Sequence, residues 1–206
     1  MFAALTGLGL STAAGFNAYI PLLVVGLASN FTDKVALPSG FDWMGQWWAI
    51  GLFSVLLLVE VVVDKVPVVD HVNDIIQTAI RPASGGAVFS ATTAATEVDN
   101  SAWLAERPWI GWTVGIVSAL AVHGVKALVR PVVNATTAGV GAPVVSTIED
   151  GGSLGMSLVA IFLPILVVVF LVALVWLAVV MIRRLKRRRA RRAARRRGEP
   201  GTTVEM

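Results

Sequence analysis

The chain has no cysteine in 206 residues, which removes disulfides, thiolate metal sites and a cysteine nucleophile together. Histidine is nearly as scarce, and with only His71 and His123 a His-rich metal site is not expected. There is no phosphate loop, no G-x-S-x-G and no H-E-x-x-H, and Ser90 and Ser146 have no base beside them in the sequence. A nucleophilic hydrolase is therefore unsupported. The opening stretch MFAALTGLGLSTAAGFNAYIPLLVVGLAS lacks a basic n-region, so it reads as a retained membrane helix rather than a cleaved signal. No catalytic residue, bound metal or cofactor is expected, and the chain does not read as an enzyme.

What is present is apolar. The chain is 56% hydrophobic with a mean hydropathy of +0.76. Residues 154 to 182 hold no charge and exceed the roughly 20 residues a helix needs to cross the bilayer core. Charge is concentrated at the other extreme: 11 of the 17 Lys and Arg fall in RRLKRRRARRAARRR, residues 183 to 197. Residues 1 to 182 form a membrane domain that keeps 6 bases against 11 acids. The run carries no Phe, Tyr or Trp on which a base could stack, so it reads as a cytoplasmic anchor on anionic lipid headgroups and not as a nucleic-acid site. Residues 183 to 206 are the Arg-rich cytoplasmic tail, disordered beyond 197.

Working back from that tail gives a topology. The 154 to 182 span descends to the inside, kinked at Pro164. Residues 109 to 130 and 45 to 65 descend as well, each with tryptophans at its start (Trp109 and Trp112; Trp47 and Trp48) and bases at its end. Three segments rich in small residues climb back: 5 to 27, 84 to 95 and 131 to 147. The expectation is an all-α polytopic bundle of about six membrane segments, with both termini cytoplasmic. Segments 84–95 and 131–147 are too short to span straight, and they read as broken or re-entrant. The acid-rich EVDNSAWLAER (97 to 107) lies outside, and Glu149 and Asp150 mark the next arrival there. Arg130-Pro131 ends the helix before.

Small residues recur every four positions at Gly7, Ser11 and Gly15, at Gly86, Ser90 and Ala94, and at Ala135 and Gly139, the spacing of close helix packing in lipid. STAAGFNA, SATTAA and NATTAGVGA echo one another, and IRP and VRP precede the last two. These suggest a threefold hairpin repeat, although Arg81 to Thr92 is 11 positions and Arg130 to Thr136 is 6.

Ionisable residues inside the bilayer are the best functional pointers. Glu60 and Asp64 share one stripe; His123, Lys126 and Arg130 share another, and opposite charges can meet at the cytoplasmic end. Residues 66 to 80 form an amphipathic interfacial helix with Asp70, Asn73, Asp74, Gln77 and Arg81 on its polar face. Asp70 and Asp74 could bind a divalent ion or meet Arg81 and Lys126, but a solvated face is the simpler reading. Gly15, Asn17, Asn134, Gly139 and Pro143 are candidates for a path along broken helices.

VVVDKVPVVDHVNDIIQTAIRP, HGVKALVRP and GAPVVSTIED resemble the blocks of a bacterial integral-membrane family catalogued as domain of unknown function 4126, over roughly residues 5 to 180. The resemblance implies a multi-pass protein of the cytoplasmic (inner) membrane and transfers no catalytic residue. The leading functional expectation is a small transporter or channel for an ion, a small anionic solute or a lipid headgroup. The alternatives are a non-catalytic membrane scaffold or assembly factor, and behind it a membrane enzyme acting on lipid phosphates. A homo-oligomer is compatible with the small-residue stripes. On the scaffold reading, deleting residues 183 to 206 abolishes partner co-purification from detergent extracts while leaving the helical circular-dichroism spectrum unchanged; retained partners count against it.

Overall fold

The structure, a computed structural model, describes residues 2–64, 67–94, 107–137, 140–176, 179–180 and 183. The chain divides into two units, Met1–Val168 and Val169–Met206. The described residues are helical and contain no strand. The helices are α1 (Phe2–Phe16), α2 (Tyr19–Phe31), a 3-10 turn (Asp42–Gly45), α3 (Trp47–Val63), α4 (Pro67–Ala94), α5 (Pro108–Thr137), α6 (Ala142–Phe162) and α7 (Ile165–Trp176). The outer loop expected over 97 to 107 lies outside the described residues except for Arg107, as do the far end of the last apolar run and the tail beyond Arg183.

α1 is the centre of the first unit, packed against α4, α5 and α6. Its sequence explains the position: Gly7, Gly9, Leu10, Ser11, Thr12, Ala13, Ala14 and Gly15 are all buried, and side chains this small let three neighbours close on one backbone. A Cβ added at Gly7 would lie 3.0 Å from Phe89 Cδ2 and Thr92 Oγ1 of α4. One added at Gly15 would lie 2.7 Å from the Ala119 carbonyl of α5. α4 and α5 meet still more closely, since a Cβ on Gly85 would stand 2.7 Å from the Gly115 carbonyl. Two of the expected small-residue stripes are thus packing faces. Of the third, Ala135 is exposed and Gly139 lies outside the described residues.

The direction of each helix follows from these contacts. Gly7 faces Phe89 and Thr92 while Ser84 Oγ donates to the Ala18 carbonyl at 2.6 Å, so α1 runs antiparallel to α4. Gly15 faces Ala119 and Lys126 reaches Phe16, so α1 runs parallel to α5. α2 then turns back: Asn30 Nδ2 donates to the Gly45 carbonyl at 2.6 Å, and the rings of Phe31 and Trp47 meet edge-on at 6.1 Å. The start of α1, the end of α2 and the tryptophan-bearing starts of α3 and α5 share one end of the bundle. α1 and α2 form a helical hairpin that enters and leaves by that end.

This corrects the single ascending crossing expected for 5 to 27. The cause is local: Asn17 breaks the helix, and its Oδ1 accepts from the amides of Tyr19 at 3.0 Å and Ile20 at 3.3 Å, which caps the first turn of α2. A continuous helix leaves those amides bonded to carbonyls one turn earlier.

The other boundaries also shift. Residues 84–95 are not a short segment and 66–80 not a separate interfacial helix, because both belong to the 28-residue α4, about 42 Å long at 1.5 Å per residue. Pro82 sits inside it and Pro131 inside α5. A proline costs one internal hydrogen bond, and tight packing on neighbours tolerates that loss. Arg130-Pro131 therefore does not end a helix. The reversal comes later, between Thr137 and Ala142, so residues 131–147 are the end of one helix and the start of the next and not one climbing segment. At the far end Pro164 ends α6, where Leu163 leaves the helical region at φ −138° and ψ 56°, instead of kinking one long span.

Gly115→Leu should force α4 and α5 apart and cost about 1–3 kcal/mol, because a backbone opposite cannot yield as a side chain does. Gly124→Ala on the same helix meets nothing within 4 Å and should be neutral or stabilising by up to about 1 kcal/mol. Thermal unfolding of the two purified variants compares them directly.

Candidate functional site: a buried ion-pair network

Helical spacing assembles the site. Glu60 and Asp64 lie one turn apart on α3, Asn73, Gln77 and Arg81 one turn apart on α4, and His123, Lys126 and Arg130 along one face of α5. All six charged side chains of the network are nearly sealed from the surface, Glu149 being the most exposed at 10%. Arg81 Nη2 pairs with Glu60 Oε1 at 3.0 Å. Beyond it, Arg130 pairs with Asp64 and with Glu149 at 3.0 Å each, and Lys126 pairs with Glu149 at 2.9 Å and with Asp64 at 3.5 Å. Among the described residues these pairs set three acids against three bases, which is how charges persist away from water.

The sequence placed Glu149 at the opposite face from Arg130, and this is corrected. Arg130 lies seven residues before Thr137, and Glu149 lies seven after Ala142. A tight reversal between two antiparallel helices brings residues equally far from it side by side, each about 10 Å along its helix. TIEDGG lies within helix α6.

The hairpin tip reaches the same level. Lys126 Nζ donates to the Phe16 carbonyl at 3.3 Å, an acceptor that the end of α1 leaves without a helical donor. Asn17 Nδ2 donates to Asp150 Oδ1 at 2.9 Å, and Ser153 Oγ donates to the Ala13 carbonyl at 2.9 Å. Asn73 Nδ2 donates to Asp64 Oδ1 at 2.8 Å.

His123 has both ring nitrogens engaged, Nδ1 with Arg81 Nη1 at 3.1 Å and Nε2 with Thr78 Oγ1 at 3.0 Å. A guanidinium only donates, so Nδ1 accepts and the imidazole is neutral, with its proton on Nε2 directed at Thr78. Among the described residues five buried side-chain atoms have no hydrogen-bond partner: Ser90 Oγ, Ser146 Oγ and, in this network, Glu60 Oε2, Gln77 Oε1 and Arg81 Nε.

Of the residues singled out from sequence, Glu60, Asp64, Arg81, His123, Lys126 and Arg130 come together. The side chains of Asp70, Asp74 and Asn134 lie outside the described residues, as does Gly139. Gly15 is in the last turn of α1, Asn17 forms the break, and Pro143 sits in the first turn of α6. Glu149, Asp150, Gln77 and Tyr19 were missed. Gln77 carried a usable signal, since it stands one turn before Arg81 on the stripe taken for a solvated face; that face is turned inward, with Gln77 at 2% exposure against Ile75 at 65%. Among the described residues no three His, Asp or Glu side chains converge as metal ligands.

The fold and site together define a helical protein with a network of buried ion pairs, in which two helices, Trp109–Thr137 and Ala142–Phe162, are long and apolar enough to cross a membrane. Residues 4–184 match the family described as "Domain of unknown function (DUF4126)", and the chain belongs to it. No curated protein and no solved structure matches the chain.

Arg81→Met leaves Glu60 buried without its cation and should cost about 3–5 kcal/mol in unfolding free energy. Pairing it with Glu60→Gln should recover part of that loss, so that a double-mutant cycle in chemical denaturation gives a coupling well beyond additivity.

Proposed function

We propose that the chain is a multi-pass protein of the bacterial cytoplasmic membrane that works as a small transporter or channel, for an ion or a small anionic solute or headgroup. The observation that carries this reading is the hairpin tip, Phe16 to Ala18, ending among the buried charges of Asp64, Lys126 and Glu149. Irregular backbone at membrane depth persists only where it is buried in protein or lines a wet cavity, and half-helix ends facing charges are the usual construction of a solute or ion site.

The surface supports a lipid setting. Leu52, Val55, Leu58, Val59 and Val62 of α3 are exposed while Glu60 and Asp64 on the same helix point inward. Such an inside-out pattern suits a hydrocarbon solvent and not water. In this reading the α1–α2 hairpin is re-entrant from the outer face, where the tryptophans of α3 and α5 lie. α3 and α5 descend, α4 and α6 ascend, and the last apolar run carries the Arg-rich tail to the cytoplasmic headgroups. Lys126 acts as the gate: its ammonium bridges the hairpin tip to α3 and α6, so moving it opens the tip to the inner side.

In proteoliposomes carrying equal amounts of folded protein, Lys126→Ala should change the flux of at least one of sodium, potassium, chloride or inorganic phosphate by about tenfold, which needs only about 1.4 kcal/mol of barrier. Unchanged flux for every one of them, and for protons, sinks the transport reading.

A further inference from the structure

Of the three carboxylates in the network, Glu60 is bonded differently. Asp64 has both oxygens engaged, one by Asn73 and the other by Arg130. Glu149 receives Lys126 and Arg130 on one oxygen. Glu60 gives Oε1 to Arg81, while its Oε2 is the one buried carboxylate oxygen without a partner among the described residues. Two more unpartnered atoms stand beside it. Gln77 lies one turn from Arg81 on the inward stripe of α4, and the Tyr19 hydroxyl is in the neighbourhood of Gln77, Glu60 and Arg81. Glu60, Gln77 and Arg81 are at most 2% exposed.

These three atoms are two acceptors and one donor. An unmet polar atom in such surroundings costs about 1–3 kcal/mol, and with Arg81 holding Glu60 directly and Gln77 one turn away on the same helix, the three together point to an occupant. A water molecule has the right complement, with two O–H donors for the acceptors and a lone pair for Arg81 Nε–H. A metal cation does not, because the Arg81 N–H would face it.

We propose that Glu60 is a proton-binding site served by water held between Glu60, Gln77 and Arg81. A proton delivered through that water converts the Glu60 carboxylate to the acid, and the new O–H donates to the water from which the carboxylate oxygen had accepted. The charge of the network then rises by one, and release of the proton restores it. His123 does not compete for it: one nitrogen already accepts from Arg81, and a cationic imidazole there would face that guanidinium. The other groups facing Glu60 are Asp64 on its own helix, Arg81 on α4, Lys126 on α5 and Tyr19 on α2. This deepens the transport reading by naming the proton as the coupling or transported ion, but the protonation stands on the pocket alone.

The test is infrared difference spectroscopy of the full chain in lipid vesicles, between acid and alkaline buffer. A carbonyl-stretch band of a protonated carboxylic acid is expected, lost in Glu60→Gln and kept in Glu149→Gln. Gln77→Leu, which leaves every charge in place, should move the band to higher wavenumber by removing a hydrogen-bond partner. No titrating band in the wild type, or a band that survives Glu60→Gln, or one indifferent to Gln77→Leu, overturns the proposal. A pH-sensitive dye trapped in the same vesicles reads proton flux separately. A band with the expected behaviour but no flux upholds the proton site and removes the transport reading instead.

Discussion

Burial of six charges in one small volume is the constraint on which the rest of the structure depends. A lone carboxylate or ammonium away from water costs several kcal/mol even after relaxation, so each must find a counter-charge, and the counter-charges sit on different helices. Glu60 and Asp64 tie α3 to α4 and α5, and Glu149 ties α6 to α5. Removing any of these helices strands at least one charge. The register of four helices is therefore set as much by electrostatics as by packing.

Glycine and serine make the same geometry possible from the other side. Lys126 reaches the Phe16 carbonyl only because α1 lies close against α5, and the bare backbone of Gly15 against Ala119 permits that approach. Close packing and charge pairing thus reinforce each other. The helix break at Asn17 gains its consequence from the same contacts. Elsewhere it would free carbonyls and amides at a cost, whereas here Lys126 takes one and the Asn17 side chain takes two others.

Much of this was legible in the sequence. Periodicity put Glu60 with Asp64 and His123 with Lys126 and Arg130, because residues three or four apart on a helix share a face whatever surrounds it. The stripes of Gly7, Ser11 and Gly15 and of Gly86 and Ser90 were legible as packing faces for the same reason. What failed was punctuation. Pro131 looked like a helix end and Pro82 fell between two expected segments, yet both are interior, while Asn17, singled out only as part of a path, is the sharp turn that splits one expected crossing. Proline raises the local cost of a helix, but neighbours on every side decide whether that cost is met.

The amino-acid sequence alone determined the helical class, the members of each stripe and the concentration of positive charge at one end, since all three follow from the order of residues along a backbone of fixed pitch. Only the tertiary structure decided that Glu149 belongs with Lys126 and Arg130, that the polar stripe of α4 faces inward, and that the first apolar run is a hairpin. Each depends on where a chain reverses and what then lies opposite, and that is settled by the energy of long-range contacts, on which local sequence carries little information.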